Sequence, residues 1–377
     1  MGRRDLLEKI VGTYCKAEPW NLPKRDEQLR IFVLRNNDIG DVILTTPLFN
    51  ALKQRFPNCC LHVGIGDWNR PTLDCNPDVD ETIRCNAPWH NKVSCRHSPN
   101  SPYGFLRSLK YIFLSTEARR LRRQKYHLAI DVLGSLEGTL LHKRVGIRNR
   151  MGAKGYGGGH SGCQNWRQFK IDENAGRSTL RYAEMLGLPA EELPENKPKI
   201  FLTKTELEEG KQHWPDGSFK TKKVVISTGA GFSEKCWPTE FFAELAKKLS
   251  AREDTTFLFV GSEKDARDGD RFTQEVPRLD NLAGKMTLRQ TFAVIANADF
   301  VICNSTMFMH AAAAFEISTL VLLGPWYDST KLHNAQWGHP NCTIMGPETS
   351  ERHHNLTSVK EAFEHCSGVL GLSLIHI

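Results

Sequence analysis

The residues best suited to chemistry near the start of the chain stand in the stretch RNNDIGDVILTTPLFNALKQRFPN, Arg35 to Asn58. Two carboxylates, Asp38 and Asp41, bracket Ile39 and Gly40. A carboxylate in such a place either caps the following helix or serves as a general base. Asp38 reads as a turn residue, while Asp41 carries both possibilities. Gly40 permits close backbone approach by a ligand. Thr45 and Thr46 either hydrogen-bond a substrate or pack inside the first helical turn. A second group lies in the other half of the chain. Ser227, Thr228, Gly229 and Ala230 form a run of small residues that admits a ligand, Lys235 shortly precedes Trp237 and Pro238, and NSTMFMH runs from Asn304 to His310. Trp237 reads as packing. Neither zinc-ligand spacing nor an Asp-x-Asp pair at a strand end is present, so no metal site is expected.

The elements that must position these groups alternate along the chain. Leu29 to Leu34 is an apolar run of strand length, and Thr45, Pro47, Leu48, Ala51, Leu52 and Phe56 recur at roughly helical spacing. Asp41 therefore falls at the carboxyl end of a strand, where open α/β sheets bind their ligands. Further strands are expected over 59–66, at VDETIRC as an edge, and over 127–134, with one long helix over 104–126 and another over 178–189. GTLLHKRVGIRNRMGA reads as a helix and a short strand. The pattern restarts with a strand over 223–231 and a helix over 238–250, followed by three more strand-to-loop units and a short final helix. Strands separated by helical patterns imply βαβ units and parallel sheets. The expected fold is α/β, with two doubly wound Rossmann-like domains facing across a cleft. The expected boundaries are an extension at 1–27, a first domain at 28–195, a polar connection at 196–221, a second domain at 222–366 and a tail at 367–377, native or not.

Length and composition agree with this division. A chain of 377 residues exceeds the usual single domain. With 40% hydrophobic and 25% charged residues it reads as a soluble globular protein. The net charge of +7 suits an anionic ligand or an anionic membrane surface and falls short of a nucleic-acid signature. Eleven cysteines, none in a C-x-x-C pair, read as free thiols in a reducing compartment. No signal-peptide core and no run of membrane-spanning length is seen, so a cytoplasmic location is expected.

Four blocks in this order resemble glycosyltransferase family 9, the heptosyltransferase family of lipopolysaccharide synthesis. RNNDIGDVILTTPLFNALKQRFP resembles the family's Arg-x-x-x-x-Gly-Asp opening, and YHLAIDVLGS its central strand. STGAGFSEKCWPTEFFAELAKKL is similar to its His-Pro-Gly-Ala … Lys-x-Trp-Pro block. NLAGKMTLRQTFAVIANADFVICNSTMFMHAAAAF and VLLGP are similar to its ending. The resemblance implies a GT-B architecture with an N-terminal acceptor domain, a C-terminal nucleotide-sugar domain, and metal-independent transfer with inversion. It needs no cofactor. It makes Asp41 the catalytic base and places Gly40 and Thr45 with the acceptor. Lys235, Thr228, Gly229, Ser305, Thr306, Met307 and His310 fall on the donor side, where Lys235 neutralises the leaving diphosphate. His310 either faces the phosphates or is a core histidine.

The chain also departs from the family pattern. Ser305 stands where the family has Asp, Met307 where it has Gly, and Ser227-Thr228 where it has His-Pro. The first reading is an inverting transferase that moves a sugar, heptose by resemblance, from a nucleoside-diphosphate donor to a lipid-linked glycan. The second, motivated by Ser305 and Met307, is a non-catalytic nucleotide-sugar-binding or scaffold protein. FLRSLKYIFLSTEARRLRRQK is apolar and basic, either a peripheral contact with an anionic membrane at its cytoplasmic face or an ordinary half-buried helix. The glycine-rich stretch 152–162 either closes over the acceptor or is a surface loop.

Overall fold

The computed structural model describes residues 3–20, 22–95, 97, 101–215, 221–251, 254–348 and 356–371. The chain divides into two compact units, Met1–Asn196 and Lys197–Ile377.

In the first unit, helix α1 (Arg3–Tyr14) precedes strand β1 (Arg30–Leu34), helix α2 (Ile39–Arg55), β2 (Cys60–Ile65) and β3 (Glu81–Arg84). Then come α3 (Pro102–Leu114), α4 (Thr116–Arg123), β4 (Leu128–Asp131), α5 (Leu136–Arg144), β5 (Asn149–Lys154), β6 (Asn165–Gln168) and α6 (Ala175–Met185). The six strands are ordered β3-β2-β1-β4-β5-β6, and every pairing is parallel. Sequence order reverses between β1 and β4. That is the switch point at which a doubly wound sheet opens a crevice beyond its strand ends. β1 and β4 are buried on both faces, which explains why both read as continuous apolar runs.

Helix α2 contains Pro47, which leaves the carbonyl of Ile43 without its usual amide partner. The Thr46 hydroxyl donates to that carbonyl at 2.7 Å. The helix therefore continues, and Thr46 packs rather than reaching for a substrate. The long helix expected over 104–126 is two helices. Ser115 is extended (ψ 149°), ends α3 and caps α4 by accepting from the Ala118 amide at 3.0 Å. A serine hydroxyl satisfies an orphan helix donor, which is why the chain restarts there. The extension at 1–27 belongs to this unit. The Arg150 guanidinium donates to the Cys15 carbonyl just beyond α1, and Gln164 Nε2 donates to the Glu18 carbonyl at 2.9 Å.

In the second unit, α7 (Lys204–Gln212) precedes β7 (Lys222–Ser227), α8 (Thr239–Ser250), β8 (Thr255–Phe259), α9 (Ala266–Glu275) and β9 (Leu279–Asn281). The remaining elements are α10 (Leu288–Ala296), β10 (Phe300–Cys303), α11 (Met307–Ala314), β11 (Ser318–Leu322), α12 (Thr330–Trp337), β12 (Cys342–Met345) and α13 (Val359–Val369). The parallel sheet runs β12-β11-β10-β7-β8-β9, so its switch point lies between β10 and β7. The segment expected to be a connection carries α7, which is tied to α10 by two Arg289–Glu206 hydrogen bonds of 2.7 Å. Its residues 216–220 lie outside the described residues. At the other end α13 runs through Val369, and Leu370 is buried in the core, so 367–370 are part of the domain. The rest of the expected tail, from 372, lies outside the described residues.

Candidate functional site

The first site forms where β1 ends. Arg35, the residue after the strand, is buried, and its guanidinium organises the turn. Nη2 donates to Asp41 Oδ1 at 3.0 Å, Nε to Thr45 Oγ1 at 3.1 Å and to the Asp41 carbonyl at 3.2 Å, and Nη1 to Asn37 Oδ1 at 3.1 Å. Asp41 stands third in α2, and its Oδ2 accepts the Asp38 backbone N–H at 3.3 Å. That contact is half of a capping box. Asp38 is the cap itself and pairs with Lys92 at 2.8 Å. Asp41 thus has a structural task, yet its side chain stays 27% exposed against 9% for Arg35. A carboxylate held by one contact on each oxygen and still open on one side suits proton abstraction.

Neighbouring loops hold this turn. Asn36 Nδ2 donates to the Trp89 carbonyl at 3.2 Å and Asn37 Nδ2 to the His90 carbonyl at 2.7 Å. Trp68 Nε1 and Asn69 Nδ2 both donate to the Asn37 carbonyl at 2.9 Å. Gly40 is buried in the first turn of α2. Thr45 departs from the acceptor-contact expectation. It is fully buried, donates to the Asp41 carbonyl at 2.8 Å and accepts from Arg35. Both hydrogen-bond capacities face inward, so Thr45 supports Arg35.

Across the switch point, Asp131 ends β4 with its carboxylate closed on its own turn. It accepts from the amides of Leu133, Gly134 and Ser135 and from the Ser135 hydroxyl at 2.7–3.1 Å. Burial still raises its pKa. The glycine-rich stretch packs on this turn instead of forming a free loop. Leu136 N–H donates to the Gly157 carbonyl and Gly159 N–H to the Gly134 carbonyl. A Cβ on Gly157 would fall 2.5 Å from the Gly134 oxygen, so glycine is needed for backbone to meet backbone.

The second site gathers the loops after β7, β10 and β11. Asn304 is fully buried and ties two of them, donating to the Thr228 carbonyl at 2.6 Å and accepting the Trp237 amide at 2.9 Å. The hydroxyls of Ser227 and Thr228 are buried, with no hydrogen-bond partner among the described residues. Gly229 lies against the Asp265 carboxylate, whose Oδ1 would fall 2.7 Å from an added Cβ. Trp237 is core, with its indole donating to the Thr357 carbonyl at 2.8 Å. The loop carrying Lys235 is laced to the loop after β11, since the Gly324 and Trp326 amides donate to the carbonyls of Lys235 and Glu234 at 3.2 and 2.9 Å. The Lys235 ammonium lies 5.0 Å from the Phe232 ring centre and 5.8 Å from that of Tyr327.

Thr306 caps α11, Met307 is its half-buried first residue, and burial raises the pKa of Tyr327, an effect the nearby Ser305 side chain partly offsets. Tyr327 and His333 meet edge to face at 4.7 Å. Burial and the Lys235 charge push His333 down to about 4. His310 departs from the donor-contact expectation. It is buried, its Nδ1 is 2.9 Å from His339 Nε2, and burial holds its pKa well below the usual histidine range. A histidine four residues past the cap of α11 turns inward with Met309, so His310 is the core histidine of the two alternatives.

Sequence reasoning missed Arg35, Asn304, Tyr327 and His333 as site residues. Arg35 and Asn304 were detectable as polar residues placed directly after apolar strands. Tyr327 and His333 carry no local signal. Among the described residues no group of three or more His, Cys, Asp or Glu is placed to hold a metal, and no helix is long and apolar enough to cross a membrane.

The family model of glycosyltransferase family 9 (heptosyltransferase) matches residues 116–352. Lipopolysaccharide heptosyltransferase 2 of Escherichia coli is 26% identical over 313 residues, covering 79% of this chain and 83% of that protein. The solved structure of E. coli ADP-heptose lps heptosyltransferase II superposes with a TM-score of 0.72 at 22% identity, over 91% of this chain and 98% of that one. A glycosyl transferase family 9 structure from Veillonella parvula gives a TM-score of 0.73 at 17% identity, over 94% and 100%. The architecture is GT-B, built of two Rossmann-like domains. With the family model covering more than half of its length, the chain belongs to glycosyltransferase family 9.

Proposed function

We propose that this glycosyltransferase moves a heptose from ADP-heptose, with inversion, to a lipid-linked glycan of the lipopolysaccharide type. The observation that carries the mechanism is Asp41, anchored by Arg35 at the switch point of the first sheet. The choice of sugar and acceptor rests on relatives that are themselves lipopolysaccharide heptosyltransferases. In this reading the open side of the Asp41 carboxylate takes the acceptor hydroxyl's proton as that oxygen bonds to the anomeric carbon. The bond from that carbon to the diphosphate oxygen breaks on the opposite face. Lys235 and the first amides of α11 meet the charge that develops on the departing diphosphate. The unpartnered hydroxyls of Ser227 and Thr228 are further donor contacts. The reaction takes place at the cytoplasmic face of a membrane.

The test is transfer of labelled heptose from ADP-heptose to a truncated lipopolysaccharide acceptor, with and without excess chelator. Equal product in both is expected. Loss of transfer in chelator, restored by magnesium or manganese, would refute the lysine-based mechanism. Met307 at the start of α11 favours a second reading, a nucleotide-sugar binder without turnover. Binding of ADP-heptose with neither transfer nor hydrolysis would establish it.

A further inference from the structure

The break at Ser115 has made a surface that the two sites do not use. Along α3, Tyr103, Leu106, Lys110 and Leu114 recur at helical spacing on one outward face, and Leu106 and Leu114 are 62% and 64% exposed. Past the break, α4 presents Arg119, Arg122 and Arg123 beside Arg144 from the end of α5. Together with apolar residues of α3, these four arginines line a groove of about 340 Å³. Phe113 forms part of its wall, 5.7 Å from the Arg144 guanidinium. A second groove on the other side of α3 is lined by Arg107, Lys110 and Leu114. No carboxylate is among the residues lining either groove. The acid of α4, Glu117, faces away and is held by Arg84 at 3.2 Å and the Tyr111 hydroxyl at 2.6 Å.

We infer that the α3–α4 elbow is a docking surface for an anionic lipid bilayer. Protruding leucines and an aromatic ring between two basic grooves match a partner with a negative surface over an apolar interior. An acidic protein would meet the arginines and leave Leu106 and Leu114 uncovered. The surface also reaches the first site. Tyr111 of α3 packs edge to face on Trp89 at 5.4 Å, and the Trp89 carbonyl receives Asn36 of the turn that carries Asp41. Docking here would hold the Asp41 turn near glycans anchored in the same membrane. That consequence rests on the proposed function, whereas the docking itself does not.

Sedimentation with phosphatidylcholine vesicles, with and without phosphatidylglycerol, tests it on the full chain. Binding to the anionic vesicles alone is expected, and high salt should weaken it. Arg122→Ala with Arg123→Ala should lower partitioning about 25-fold, from about fivefold per basic residue. Leu106→Ser with Leu114→Ser should also reduce it, and all four changes lie on the surface and should leave melting unchanged. Transfer to a water-soluble acceptor should be unaffected in these variants, while transfer to vesicle-borne acceptor falls. Vesicle binding without transferase activity would sink the proposed function and leave this inference standing. No wild-type binding, equal binding to neutral vesicles, or binding unchanged in both double variants would overturn it.

Discussion

Replacing Asp41 by Asn separates the two tasks that this carboxylate holds. Asparagine keeps the shape, but its single acceptor oxygen can serve Arg35 or the Asp38 amide and not both, and the Arg35 contact loses its charge. A hydrogen bond to a charged group contributes about 1.5–3 kcal/mol. Here Arg35 retains the Asn37 and Thr45 side chains and the residue-41 carbonyl, and Asp41 is 27% exposed. The loss should therefore sit low in the range, about 1–2 kcal/mol. At about 2–4 °C per kcal/mol for a domain of this size, melting should fall by about 2–8 °C. Turnover should fall much further, by about 10²–10⁴-fold, because the base is gone. Labelled-heptose transfer measured well below the melting temperature, beside calorimetry on the same samples, reads both effects. Arg35→Met supplies the contrast, since it removes the anchor and spares the base. It should cost more stability than Asp41→Asn and less turnover. Near-normal turnover in Asp41→Asn, or a loss that only tracks the unfolded fraction, would refute the reasoning and leave Asp41 as a capping residue.

On the donor side, Lys235→Ala should weaken ADP-heptose binding by about 10–100-fold in calorimetry, the scale of one charge-assisted hydrogen bond, and unaltered affinity would make Lys235 a bystander. Tyr327→Phe removes a hydroxyl beside Ser305 and Lys235 and should raise the donor KM severalfold with melting nearly unchanged, whereas an unchanged KM would remove Tyr327 from the site. Acid should destabilise the protein through its buried histidines. Burial pushes His142 down to about 3 and His339 down to about 4, while His333 is held at about 4 by burial and Lys235. The unfolded chain binds these protons near 6.5, so the stability they contribute is complete above that pH and is lost as pH falls from about 6.5 towards 3. Urea midpoints should drop over that interval. His142→Leu should flatten the drop, because both of its ring nitrogens are buried with no hydrogen-bond partner among the described residues, and an unchanged slope would count against this assignment.

Local patterning carried much of this protein. Apolar runs of strand length separated by helical periodicity imply βαβ units, and the turn of polar residues after Leu34 lies at a strand end in the structure as well. The runs of small residues and the Lys-x-Trp-Pro block were equally visible, because strand-end turns need particular residue types at short spacing. Side-chain direction was not visible. Thr45 and His310 have the right chemistry for a ligand, yet each turns inward, one onto Arg35 and the other onto His339. His339 lies 29 residues from its partner, and no local rule pairs them. The break at Ser115 was missed because the apolar and basic periodicity runs on through 104–126, while a single capping hydroxyl redirects the backbone. Asp41 posed a choice between cap and base that composition could not resolve. Packing shows that it caps and also stays partly open, since only the tertiary structure brings the buried Arg35 guanidinium to one of its oxygens and leaves its side chain partly exposed.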